Sequence, residues 1–142
     1  MKIDLYCGIT GHTIRLLGEL IEKMGLSEWV INLSQIEDSR QIIQIHKGVF
    51  NYIHNDLWAI CYALPTSKIA EIYLLPGSLC EDLKIILTHE LLHIKYSPGI
   101  YKLMTEIENN TDLSPESARE EHRKLREMEH EVINMFLPTY LK

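Results

Sequence analysis

The chain has 142 residues, 46% of them hydrophobic and 24% charged, with a formal net charge of −6. This is the length and apolar content of one domain with its own core, not of a disordered chain, and no apolar run approaches the roughly 20 residues that span a bilayer. Acids outnumber bases from Glu106 to Glu131, which argues against a nucleic-acid partner, since such a partner is held by clustered Lys and Arg.

In chain order, "KIDLY" (2–6) alternates apolar residues and reads as a short strand. The glycines of "YCGITGHT" (6–13) read as a turn leading into a helix capped at Thr10 or His12; a phosphate-binding loop is the weaker reading, because Walker and G-x-G-x-x-G spacings are both missing. Leu16, Leu17, Leu20, Ile21 and Met24 recur at helical spacing, so a helix is predicted over 12–24, stopped by Gly25. "EWVINL" (28–33) is strand-like, and the stretch from there to Phe50 carries no clear period. "LWAICYAL" (57–64) and "IAEIYLL" (69–75) are strands separated by "PTSK", which is short enough for an antiparallel hairpin.

Ser78 with Glu81 three residues on forms a capping box, predicting a helix from Leu79 to Tyr96 that ends at "SPG" (97–99). Residues 100–113 read as part helix, part loop. Ser114 followed by Pro115 opens a second long helix, with an apolar stripe through Leu125, Met128, Val132 and Phe136, closed by Pro138. Together these predict one α+β domain over 1–142: a mixed N-terminal sheet with a helix, then two long helices. Cys7, Cys61 and Cys80 lack metal-ligand spacing and read as buried free thiols. The start of the chain makes a poor signal peptide, so a cytoplasmic protein is expected.

The chemistry concentrates in "LTHELLHI" (87–94). Residues four apart share a helix face, so His89 and His93 can aim imidazole nitrogens at one ion. Glu90 is rotated about 100° from His89, beside such an ion, where its carboxylate can take a proton from an activated water. The motif falls inside a capped helix whose apolar stripe, Leu83, Leu87, Leu91 and Ile94, it leaves intact. A catalytic zinc takes three protein ligands. The second helix offers Glu127, Glu131, His122 and His130 for the third, and zinc accepts either ligand type. Around them Glu120, Glu121, Arg123, Lys124 and Arg126 read as a solvated, salt-bridged face.

"ILTHELLHI" resembles the active-site helix of the HExxH zinc metallopeptidases, the zincins. The metzincin extension fails because its third histidine position is Gly99, which leaves the gluzincin arrangement with a Glu on a later helix. There "EMEHE" (127–131) is similar to the family's E-x-E-A-D, and "MFLP" to the close of the ligand helix in ImmA/IrrE-like peptidases. Size and layout are similar to those of the minigluzincins. The resemblance covers residues 57–138. It implies a zincin-like domain binding Zn2+ through His89, His93 and Glu127, with Glu131 hydrogen-bonded to a ligand histidine and Glu90 as general base. A peptide or protein substrate is implied, laid antiparallel to an edge strand for which "IAEIYLL" is the candidate. An oxyanion donor would come from Tyr96, Tyr101, His122 or Tyr140, and the tail after Pro138 could cover the cleft. The other reading of the same scaffold is a zinc-binding regulatory or interaction protein without turnover.

Overall fold

The computed structural model describes residues 11–36, 52–55, 58–75 and 82–141. The expected strand at 2–6, the capping box at Ser78 and Glu81, and the thiols Cys7 and Cys80 lie outside them; Cys61 is buried and in no disulfide.

Helix α1 (Gly11–Lys23) buries Leu17, Leu20 and Ile21, as their spacing predicts. His12 is inside this helix, so it is not the cap. The helix ends at Gly25, whose φ of +73° is left-handed and open to glycine at little cost. A Cβ there would find only the Lys95 Nζ, at 3.9 Å, so Gly25→Ala adds conformational strain without a clash. It is expected to lower stability by about 1–2 kcal/mol, read as a lower thermal midpoint. The adjacent Met24 carbonyl accepts from the Lys95 ammonium at 2.7 Å, which ties the end of α1 to the central helix.

Four strands follow: β1 (Val30–Gln35), β2 (Tyr52–Asn55), β3 (Ala59–Leu64) and β4 (Ile69–Leu74). They form a mixed sheet in the order β1-β4-β3-β2, in which β1 pairs parallel to β4 and the other neighbours are antiparallel. The predicted hairpin is present: Leu64 faces Ile69 across the "PTSK" turn. Two expectations change. β4 is an interior strand between β1 and β3, so its backbone is already paired and it is not the edge offered to a substrate. β2 (Tyr52–Asn55) lies between the stretches read in the sequence and adds a strand that was not expected.

One face of the sheet presents Ile31, Leu33, Tyr52, Ala59, Cys61, Ala63, Ala70, Ile72 and Leu74 to the main core. The alanines and Cys61 are small, which lets a helix approach the sheet closely. On the other face Ile60, Tyr62 and Tyr73 form a separate cluster, with the two tyrosine rings edge-on at 5.8 Å. Burial, then the charge of Glu71, pushes the Tyr62 phenol up.

Helix α2 (Leu83–Glu108) packs against β3, β2, α1 and α3 (Pro115–Leu141). It is therefore buried around most of its first half, well beyond the single stripe expected. It starts four residues later than predicted, because Asp82 is extended and caps it by accepting from the Lys84 amide at 2.9 Å. It also runs past "SPG". Pro98 removes the amide that would have bonded the Ile94 carbonyl, and the Ser97 hydroxyl donates to that carbonyl instead, at 2.7 Å. The helix survives its proline because the neighbouring residue replaces the lost bond.

Ser114 caps α3 as predicted, accepting from the Ser117 amide at 3.1 Å. Pro138 does not close this helix, which continues to Leu141. Its terminal carbonyls accept from lysines, Tyr140 from Lys23 at 2.9 Å and Leu141 from Lys84 at 3.3 Å, a favourable placement of cations at a helix C-terminus. The tail thus extends α3 rather than turning back across it. Its buried line is Leu125, Glu129 and Ile133, whereas Met128 and Phe136 of the predicted stripe are about two-fifths exposed.

Candidate metal centre

α2 and α3 run antiparallel and bring three histidines together: His89, His93 and His130 each offer a ring nitrogen, all within 4.8 Å of one another. The i, i+4 spacing on α2 sets the first two, whose Nε2 atoms are 3.1 Å apart. Two nitrogens on one tetrahedral ion at about 2.0–2.1 Å lie about 3.3–3.4 Å apart, so the pair is close to the spacing an ion needs. His130 stacks over His89 with ring centroids at 5.8 Å and meets His93 edge-on at 5.2 Å.

The protonation pattern fits the same use. His130 Nδ1 is 3.2 Å from the Arg126 carbonyl, which can only accept. Nδ1 therefore carries a hydrogen, and Nε2 remains the nitrogen available to a cation. His93 is fully buried, and its Nδ1 lies 2.8 Å from the Tyr52 hydroxyl and 3.2 Å from a carboxylate oxygen of Glu129. Tyr52 donates to that same oxygen. Glu129 is only 2% exposed, and a carboxylate so placed needs donors to offset its desolvation; Tyr52 donates to it, and the His93 ring lies against it. Burial first, and then the charge of Glu129, hold the Tyr52 phenol far above its usual range, and Glu90 adds to this.

Glu90 follows His89 and is 1% exposed, while His89 and His130 are half-buried. Glu127, expected as the third ligand, is not in the cluster. It is 61% exposed and ion-paired with Arg123, which also holds Glu120. These two acids raise the Arg123 guanidinium further, Glu120 first. Glu131, expected behind a ligand histidine, is exposed, and Glu129 holds that place. The helix phase is the cause: Glu129 lies on the buried line of α3, with Glu127 and Glu131 each rotated off it by about 200°.

Of the expected oxyanion donors, His122 shares with Tyr52, Arg126 and Glu129 the lining of a recess of about 10 Å3, the size of one water. Tyr96 packs toward Phe136 at 6.3 Å, and its phenol is raised by burial and then by Tyr140. The residues missed are Tyr52 and Glu129. The available signal for Glu129 was an acid in phase with Leu125 and Ile133; for Tyr52 there was none. A larger hollow of about 450 Å3 lies toward the α2–α3 turn, lined by Leu103, Ile107, Leu113, Lys124 and Met128 among others, and none of the clustered histidines borders it.

Comparisons with protein-family models, with curated proteins and with solved structures return no match. Among the described residues no helix is long and apolar enough to cross a membrane. The fold and the site thus define an α+β domain with a three-histidine cluster able to hold a metal ion.

Proposed function

We propose that this chain is a zinc-dependent metallopeptidase of zincin-like, gluzincin-related architecture, hydrolysing peptide bonds in a peptide or protein substrate. The observation that carries the reading is the meeting of His89, His93 and His130 with Glu90 next in sequence to the first of them. Three nitrogen ligands with a fourth position left for water are a catalytic zinc set, here with His130 in the place the family gives to a glutamate. Zn2+ bound there would supply Lewis-acid activation of water and of the scissile carbonyl. Glu90 takes the proton of the attacking water on a carboxylate oxygen and returns it to the leaving amine. His93 is held from behind by Tyr52 and Glu129, and His130 by the Arg126 carbonyl, so both rings are oriented before any ion arrives.

Protein made without a tag is expected to carry about one zinc per chain by mass spectrometry. Glu90→Gln is expected to keep that zinc while lowering peptide hydrolysis by about 100-fold or more, the usual scale of a lost general base. Absence of zinc, or unchanged hydrolysis in the variant, would sink the proposal. The burial of Glu90 favours one second reading, a metal-binding regulatory or interaction protein without turnover. That reading is what remains if the zinc is present and neither protein hydrolyses peptides.

A further inference from the structure

We infer that Tyr52 is a positioning residue of the histidine cluster: its hydroxyl accepts from His93 Nδ1–H and donates to Glu129, so strand β2 selects the His93 tautomer whose Nε2 faces His89. This deepens the metal-site reading above and rests on it only for the affinity measurement below.

The argument is one of counting protons. Three buried atoms meet: His93 Nδ1, the Tyr52 hydroxyl oxygen, and one carboxylate oxygen of Glu129, with Nδ1 at 2.8 Å from the hydroxyl and 3.2 Å from the carboxylate. An ionised carboxylate only accepts, a hydroxyl has one hydrogen, and a neutral imidazole carries one N–H and one lone pair. Tyr52 gives its hydrogen to Glu129. The hydroxyl then presents only lone pairs to Nδ1, so Nδ1 must hold the hydrogen. In the opposite arrangement Tyr52 would donate to a bare Nδ1. Glu129 would then lose the Tyr52 hydrogen and face a second lone pair in a site 2% exposed, and taking a donor from a buried charge is destabilising. One tautomer satisfies all three groups. It leaves the Nε2 lone pair directed at the His89 side, where the two Nε2 atoms are 3.1 Å apart.

Tyr52 is suited to this because it belongs to the sheet and not to either ligand helix. Its ring is buried in the main core, in register opposite Ala63. The hydroxyl thus stands on a rigid support and crosses from the sheet to both helices at once, with its ring tilted at 43° to that of His93. A carboxylate alone, on a helix that can slide or roll, would orient His93 less firmly.

Long-range 1H–15N spectra of the metal-free protein at neutral pH test this directly. The wild type is expected to show His93 with a protonated Nδ1 and an unprotonated Nε2; the reverse pattern overturns the proposal without any variant. Tyr52→Phe keeps the ring and removes only the hydroxyl. It is expected to give a mixed His93 signature and to weaken Zn2+ binding, measured by competition with a chromophoric chelator, by about 10- to 100-fold. Tyr62→Phe removes a hydroxyl from the opposite face of the same sheet and is expected to change neither readout, which separates positioning from a general loss of stability. An unaltered His93 signature in Tyr52→Phe overturns the proposal. If the wild type binds no zinc yet Tyr52→Phe scrambles the tautomer, the positioning role stands and the metal reading falls.

Discussion

His130→Ala is expected to weaken Zn2+ binding by more than about 100-fold, while Glu127→Ala leaves it within about twofold. Loss of a partner hydrogen-bonded to a ligand already costs about 10- to 100-fold, so loss of the ligand itself must cost more. Both residues sit on α3, three positions apart, and both are polar, so the contrast reads the rotation of that helix. His130 is half-buried over His89; Glu127 points to solvent and shares Arg123 with Glu120. An exposed pair of this kind contributes little to stability, and neither substitution opens the core, so circular dichroism should show both proteins folded. A chelator competition titration on the three proteins decides the matter. Equal affinity in His130→Ala, or a large loss in Glu127→Ala, would turn α3 by about 60° from the phase described and restore a glutamate as third ligand.

What the sequence made legible was whatever depended on local spacing. α1 shows its stripe and its stop, the hairpin its turn, α3 its Ser-Pro start, and HELLH its shared helix face. The remainder depended on partners distant in the chain. α2 passes through Pro98 because Ser97 replaces one hydrogen bond, and a serine before a proline carries no such signal by itself. β4 is interior because β1 pairs with it in parallel, which its own residues do not encode. That His130, and not Glu127, stands beside the two α2 histidines was hidden for the same reason. Glu129 is in phase with Leu125 and Ile133 on the buried side of α3, but a glutamate among "REMEHE" reads as solvated unless the donors that bury it are known. One such donor is Tyr52, and the His93 ring packs beside it, on a strand and a helix elsewhere in the chain. Once Glu129 is inside, Glu127 must turn outward and His130 comes to flank the α2 histidines.

Leu91→Ala is expected to cost about 2.5–5 kcal/mol of stability, read as a large fall in the urea midpoint with little change in slope. Leu91 is fully buried in the main core on the helix that carries His89 and His93, and a truncated leucine in such a place loses both transfer free energy and packing. Against a total of about 5–15 kcal/mol for a domain of ordinary stability, that is at least about a sixth and up to the whole. Yet Leu91 lies two residues from each of His89 and His93, so it is rotated about 200° from both and faces away from their nitrogens. The cavity and the ion site should therefore be energetically separate. Zn2+ at about 100 times its dissociation constant stabilises a folded state that binds it by about 2.7 kcal/mol. That increment should appear in full in the wild type and in Leu91→Ala, and should vanish in His130→Ala. A cost below about 1 kcal/mol for Leu91→Ala would mean that α2 is not buried as described. A normal cost with no zinc increment would mean instead that the packing of Leu91 is what keeps the two histidines in register, and the site would then be a property of the whole core and not of one helix face.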